Sequence, residues 1–215
     1  MKKLKCLLLS VCICFIMVFI MESFNSTIVF AETTKQATEK EVKQAKKAYK
    51  EFLTKKKFKD QYFKLVDLGN NGIPCLFVGG AYEFGYSSGG KIYVYKNKKV
   101  VYLATVESAG SSSTIFYKKG FIIANVLHYY SRLYFKNGNI VCENLADDSG
   151  AVEFSTNVTG PYAFERSINK NGKWKSVFTT HYNEKKYIQY IKKYAYNAEI
   201  IIMKKNTKAN RNKYL

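Results

Sequence analysis

Histidine and acidic residues are scarce in this sequence. Its 215 residues include two histidines, His128 and His181, and 16 acidic residues against 35 basic ones. Five cysteines are present, but none belongs to a CxxC pair and neither Cys75 nor Cys142 has a histidine near it in the sequence. Zinc sites need clustered cysteine and histidine ligands. The sequence therefore gives no support to metal chemistry at these two cysteines.

Familiar catalytic and nucleotide-binding motifs are also missing. The serine-rich segment 107–113 does not match the G-x-S-x-G elbow of hydrolases, and it joins two predicted strands. The glycine pairs at 79–80 and 89–90 lack the following helix and lysine of a phosphate-binding loop. A hydrolase would need His128 or His181 beside Cys142, or beside an acid, in the folded chain, and this stays one hypothesis.

Arginine is rare. Only Arg132 and Arg166 occur outside the C-terminal segment, although the formal net charge is +19. Proteins that read nucleic acids favour arginine forks and basic stripes, so this class is not expected. Scattered lysines favour attraction to an anionic envelope, such as a phosphate-rich wall polymer or lipid head groups. The alternative is that the lysines reflect biased composition and solubility.

The first 31 residues have the pattern of a signal peptide. Lys2, Lys3 and Lys5 precede the apolar run 6–21, which only Ser10 interrupts, and the best cleavage point follows Ala31. A membrane anchor is the alternative, but the run is shorter than the roughly 20 residues that span a bilayer. Cleavage leaves 32 basic and 15 acidic residues, a net charge of +17, and no transmembrane anchor. Cys75 and Cys142 would remain, either paired as a disulfide or as free thiols.

Two amphipathic helices are predicted to flank the rest of the chain. Thr38 and Glu41 fit a capping box, and apolar residues recur at helical spacing to about residue 55. A second helix is predicted over 183–196, with tyrosine and isoleucine at helical spacing. The last residues, 204–215, are predicted to form a solvated basic tail.

Between the helices, short apolar and aromatic runs alternate with Lys, Asn and Gly turns. The turn at 67–72 joins the first two runs, and Asn137-Gly138 is a strong signal for a tight hairpin. We therefore predict an α+β fold: one domain over 32–203, with a meandering antiparallel sheet of tyrosine-rich hairpins over 62–179.

Aromatic residues suggest a binding surface. Tyr93 and Tyr95 share one predicted strand face with Lys91, and further aromatics alternate just before them. Such a face can stack on sugars or bind a peptide, although core packing explains the same pattern. The candidate binding residues are Tyr82, Phe84, Tyr86, Tyr93 and Tyr95.

Residues 67–76, DLGNNGIPCL, resemble the D-x-N-x-D-G-x-P-E-L turn of FG-GAP/VCBS-like repeats. The order of a lysine-rich helix ending in AYKEFL, tyrosine-rich hairpins and an NGK hairpin is similar to a group of small secreted proteins of low-GC Gram-positive bacteria. The intact turn implies a calcium loop, and Asp67 and Asn71 match two of its ligand positions. Gly69 and Cys75 replace other ligands, so we expect no cofactor unless this reduced loop still binds calcium.

Composition, leader and resemblance together favour an exported, non-enzymatic binding module. We expect it to be secreted or retained on the cell wall, with an anionic wall polymer, a glycan or a protein as its partner. The alternatives are an inhibitor or immunity-type protein that captures one partner protein, and the hydrolase described above.

Overall fold

A computed structural model describes residues 36–81, 87–107, 114–126, 129–147, 160–170 and 173–215. Two antiparallel sheets and three α-helices give the predicted α+β class. The predicted signal peptide, residues 1–31, lies outside the described residues. The helices are α1 (Glu39–Phe52), α2 (Glu184–Tyr194) and α3 (Lys208–Tyr214), with a 3-10 turn at Lys56–Phe58. The strands are β1 (Tyr62–Val66), β2 (Cys75–Ala81), β3 (Ser87–Lys96), β4 (Lys99–Val106), β5 (Thr114–Lys118), β6 (Phe121–Val126), β7 (Tyr129–Lys136), β8 (Asn139–Ala146), β9 (Ala163–Lys170), β10 (Lys173–His181), β11 (Glu199–Ile200) and β12 (Lys204–Lys205).

The hairpins are divided between two sheets, where the sequence suggested one meander over 62–179. The first sheet has the strand order β12-β1-β2-β3-β4, and the second has the order β10-β9-β8-β7-β6-β5-β11. The physical reason is visible in β2, where residues 75–78 are all buried, so that both faces of the strand need cover. The second sheet covers one face of the first sheet, and α1 covers the other.

The core is arranged in four layers: helix, sheet, sheet, helix. Phe77 and Ile92 of the first sheet pack with Ile122 and Leu133 of the second in the central layer. On the outer side of the first sheet, α1 buries Tyr49 against neighbours that include Leu76 and Tyr93. On the outer side of the second sheet, α2 buries Tyr190 and Ile191 against Leu145 and Phe164. Each helix therefore uses one apolar stripe to cover one sheet.

Local signals explain where the elements begin and end. Thr38 caps α1, since its hydroxyl accepts a hydrogen bond from Glu41 N at 3.2 Å and its own N donates to Glu41 Oε2 at 2.7 Å. Asn137 and Gly138 have positive φ angles of 51° and 69°. These angles suit the tight turn between β7 and β8, as the Asn-Gly pair predicts.

The last twelve residues do not form the solvated tail that we expected. They contribute β12, which pairs with β1, and the helix α3. Asn206 is buried, and its side-chain amide donates to the carbonyls of Leu53 and Phe58 at 2.9 and 2.7 Å. Composition alone could not predict that this segment is ordered, because one buried asparagine fixes a segment that is otherwise rich in lysine.

The glycine-rich turn at 67–72 connects the two sheets. The carbonyl of Asp67 accepts a hydrogen bond from Gly120 N, and the carbonyl of Leu68 accepts one from Phe135 N, each at 2.7 Å. Gly120 lies in the turn between β5 and β6, and Phe135 lies near the end of β7, so the turn between β1 and β2 is fixed from the opposite layer. In the part of the chain that the structure describes, every helix is too short or too polar to cross a membrane.

Candidate functional site

A surface cleft of about 380 Å³ lies between the 3-10 turn and the strands β2 and β3. It opens on the outer side of the first sheet, next to the cluster that α1 covers. We call it the glycine cleft. Its lining residues are Lys57, Phe58, Gln61, Val78, Gly79, Gly80, Gly89, Gly90, Lys91 and Tyr93.

Glycine is required where the two strands approach each other at the floor of this cleft. Gly79 pairs with Gly90 across the β2–β3 ladder. A Cβ on Gly79 would collide with the carbonyl oxygen of Gly89, and a Cβ on Gly90 would collide with that of Val78. The pairing register shifts just beyond this point. The glycines thus let the two strands approach more closely than side chains at these positions would allow.

Positive charge dominates the rim of the glycine cleft. Lys57 and Lys91 are both exposed. Among the described residues, no acidic side chain pairs with either of them. Among the described lining residues, the other polar side chains are the amide of Gln61 and the phenol of Tyr93. This donor set suits the binding of an anion.

The predicted tyrosine face is found in part. Tyr93 and Tyr95 do lie on one side of β3, but that side is packed under α1, and Tyr93 is 7% exposed. The Tyr93 ring lies 4.8 Å from that of Phe52, and burial raises the pKa of Tyr93. Its remaining edge contributes to the wall of the glycine cleft. The other three candidates, Tyr82, Phe84 and Tyr86, lie outside the described residues, between the paired Ala81 and Ser87.

The predicted calcium-type turn is held together by its own chain. Asp67 Oδ1 accepts a hydrogen bond from Gly69 N at 2.9 Å, and Asp67 Oδ2 lies 4.0 Å from Lys119 Nζ. Asn71 has a φ angle of 50°, and its carbonyl accepts a hydrogen bond from Ala37 N at 2.7 Å. Within the described ranges, no three His, Cys, Asp or Glu side chains cluster as metal ligands.

The two cysteines among the described residues are free thiols that hold their protons. Cys75 is fully buried, which raises its pKa well above the ordinary value. Burial, together with the charges of Glu165 and Glu143, raises the pKa of Cys142 to about 12, and its Sγ donates to Asn144 Oδ1 at 3.3 Å. Protonated thiols are poor nucleophiles. His181 is exposed at the end of β10, and His128 lies outside the described residues.

A buried ionic cluster, which sequence reasoning missed, lies on the outer side of the second sheet. The register of β7, β8 and β9 places Arg132, Glu143 and Arg166 side by side. Glu143 Oε2 accepts from Arg132 Nε at 3.1 Å and Nη2 at 2.6 Å, and Oε1 accepts from Arg166 Nε at 2.8 Å. The hydroxyls of Tyr134 and Tyr190 donate to the same carboxylate at 2.9 and 3.1 Å. We call these five residues the Glu143 cluster.

The carboxylate of Glu143 stays ionised in spite of its burial. Burial would raise its pKa, but the charge of Arg132 and the hydrogen bonds from both arginines and Tyr134 outweigh this effect, so the pKa is lowered. The Arg132 guanidinium carbon lies 3.5 Å from the ring centre of Tyr194 and 4.4 Å from that of Tyr134. Aromatic faces therefore replace water around this cation.

A sequence signal for the cluster existed. Each of three successive strands has three alternate residues on one face, of which the middle one is charged and the outer two are apolar or aromatic. These triplets are 130, 132 and 134, then 141, 143 and 145, then 164, 166 and 168. A charge on an apolar strand face needs a partner when that face is covered. Opposite charges at the central positions of neighbouring strands predict an ion pair between those strands.

Comparisons with protein-family models, with curated proteins and with solved structures found no match for this chain. Its function is therefore inferred from the chemistry of its own side chains, above all those of the glycine cleft and the Glu143 cluster.

Proposed function

We propose that this chain is an exported, non-enzymatic binding module that holds an anionic polymer, such as a phosphate-rich wall polymer or an acidic glycan, in the glycine cleft. The observation that carries the proposal is the pair of exposed lysines, Lys57 and Lys91, which have no acidic partner among the described residues and lie on the rim of a cleft lined by four glycines. Lysine and amide donors bind oxyanions, and the edge of Tyr93 offers an apolar contact to a sugar.

The net charge supports the same proposal at longer range. A chain that has lost residues 1–31 carries a net charge of +17, which attracts it to an anionic envelope. The signal-peptide pattern and the resemblance to secreted Gram-positive proteins support an extracellular or wall-associated location. The described lining of the cleft supports binding of an anion, because its lysine and amide groups are hydrogen-bond donors.

Fractionation of producing cells tests the proposal. The protein should be retained on the envelope as a chain beginning at Glu32 and should be released by stepwise washes with moderate salt, since salt screens exposed charges. The double variant Lys57→Gln/Lys91→Gln should be released at lower salt. The matched control is Lys99→Gln/Lys136→Gln, which makes the same change in net charge at exposed lysines outside the cleft.

The control pair separates specific binding from general attraction. If both double variants are released at the same salt concentration, the glycine cleft is not the binding site. If the unmodified protein is found entirely in the medium, retention on the envelope is wrong. A full-length chain that stays in the membrane would mean that residues 1–31 are an anchor.

One observation favours capture of a partner protein as a second candidate function. β10 is an edge strand of the second sheet, and it exposes Trp174, Val177 and Phe178 at 44%, 47% and 47%. Among the described residues this edge has no strand beside it, and apolar side chains next to such an edge are typical of strand addition by a partner. In the same fractionation, this function predicts retention that is stoichiometric with one protein and insensitive to salt.

A further inference from the structure

The Glu143 cluster contains more positive charge than its single carboxylate neutralises. Arg166 Nε and Nη2 both lie 2.8 Å from Glu143 Oε1, while Arg132 occupies Oε2. The hydroxyls of the two tyrosines of the cluster donate hydrogen bonds to the same carboxylate, and both tyrosines remain neutral. Among the described residues, Glu143 is the acid that pairs with either arginine. Two guanidiniums thus share one negative charge, and the cluster carries a net charge of +1.

Arg166 is the more exposed of the two arginines in the cluster. Its side chain is 37% exposed, against 10% for Arg132. A guanidinium has five N–H donors in a rigid fork. Because Nε and Nη2 of Arg166 are directed at Glu143, the opposite edge, which carries Nη1, is directed away from it. Glu143 therefore fixes the orientation of a donor edge that it does not itself use, which reduces the entropy cost of binding a ligand there.

The surroundings of this edge are aromatic and basic. The Arg166 guanidinium carbon lies 5.6 Å from the ring centre of Phe164, which is buried, and 5.7 Å from that of Phe178, which is 47% exposed. The register of β9 and β10 pairs Lys175 with Ile168, on the same face as Arg166. Lys175 is exposed and adds a second positive charge to this face.

We propose that the outer edge of Arg166 is a binding site for an oxyanion, a carboxylate or a phosphate, carried on an apolar or aromatic group that packs on Phe178. A planar guanidinium donates two parallel hydrogen bonds to either oxyanion. The site lies on the outer side of the second sheet, whereas the glycine cleft lies on the outer side of the first. It is therefore independent of the proposed function.

Titration followed by NMR tests this site directly. The probes are benzoate, phenyl phosphate and the neutral benzamide, and the signal is the Nε–H resonance of Arg166. We expect a saturable shift with benzoate or phenyl phosphate at a concentration at least tenfold below that needed for benzamide. Phe178→Ala should weaken binding of the anionic probe several-fold. The control variant Tyr102→Ala removes an exposed aromatic ring from the first sheet and should leave binding unchanged.

Arg166→Lys separates recognition from charge. Lysine keeps a positive charge beside Glu143 but lacks the planar fork, so binding should weaken at least tenfold while the Arg132 Nε–H resonance shows that the rest of the cluster is intact. Preference for benzoate assigns the site to carboxylates of acidic proteins or sugars, and preference for phenyl phosphate assigns it to phosphate esters. An equal response to benzamide, no saturable shift at Arg166, or full binding by Phe178→Ala would overturn the proposal.

Discussion

At the scale of single residues, Glu143 is a buried charge on which a whole cluster of side chains depends. It is 2% exposed and accepts hydrogen bonds from both arginines and both tyrosines of its cluster. A buried ion pair adds little net stability compared with an apolar pair of the same size, but removing one member leaves a buried charge without a partner. In this cluster, loss of the carboxylate would leave two guanidiniums facing each other under α2.

We therefore expect Glu143→Gln to lower the free energy of unfolding by about 3–5 kcal/mol at neutral pH. Because the folded pKa of Glu143 is lowered, its contribution is complete above the ordinary carboxyl pKa and is lost as the pH falls through the lower folded value. Urea unfolding at several pH values should show the difference between wild type and variant shrinking in acid. The exposed Glu39, paired with Lys43, provides the control: Glu39→Gln should change stability little at any pH. A difference that does not depend on pH would contradict an ionised Glu143.

At the scale of elements, the docking of α1 on the first sheet depends on one hydroxyl as well as on apolar contacts. Tyr49 is fully buried, and its hydroxyl donates to the carbonyl of Pro74 at 2.9 Å and accepts from Tyr95 N at 2.8 Å. It thus joins the helix to the start of β2 and to β3 at once. Such a group replaces hydrogen bonds that water would otherwise make to the two strands.

Tyr49→Phe should destabilise the protein by about 1–3 kcal/mol, since it leaves one buried carbonyl and one N–H without a partner. The matched control is Tyr102→Phe, because the hydroxyl of Tyr102 contacts Thr105 at the exposed surface, at 2.8 Å. Chemical denaturation of both variants gives the comparison. Equal, small losses in the two variants would mean that water takes over the contacts of Tyr49 and that its ring alone docks the helix.

The elements themselves could be predicted from the sequence where the signals are local. The capping box at Thr38, the Asn137-Gly138 turn and the alternation of Tyr93 with apolar neighbours each lie within a few residues, and each gave the right local structure. Which layer covers a strand face depends on residues far apart in the chain. For that reason the division into two sheets could not be predicted, and the sequence did not decide between core packing and an open binding face for Tyr93. Asn206 is a similar case, since its partners Leu53 and Phe58 are 153 and 148 residues away.

At the scale of the whole molecule, the last strands join both sheets to the same C-terminal segment. β11 pairs with β5 of the second sheet, and β12 pairs with β1 of the first, only a few residues later. The turn at 67–72 adds a second connection, since the carbonyls of Asp67 and Leu68 accept hydrogen bonds from the second sheet. With the apolar core shared between the two sheets, neither is expected to be stable alone.

The two sheets should therefore unfold in one cooperative transition. Each contains one free thiol, Cys75 on β2 and Cys142 on β8, and burial raises the pKa of both. Pulse labelling of the thiols across a urea gradient, read by mass spectrometry, should give the same midpoint at the two cysteines and in the far-UV circular dichroism. Labelling of Cys142 at distinctly lower urea than Cys75 would mean that the second sheet opens first. In that case the connections through the turn and the C-terminal strands do not couple the layers.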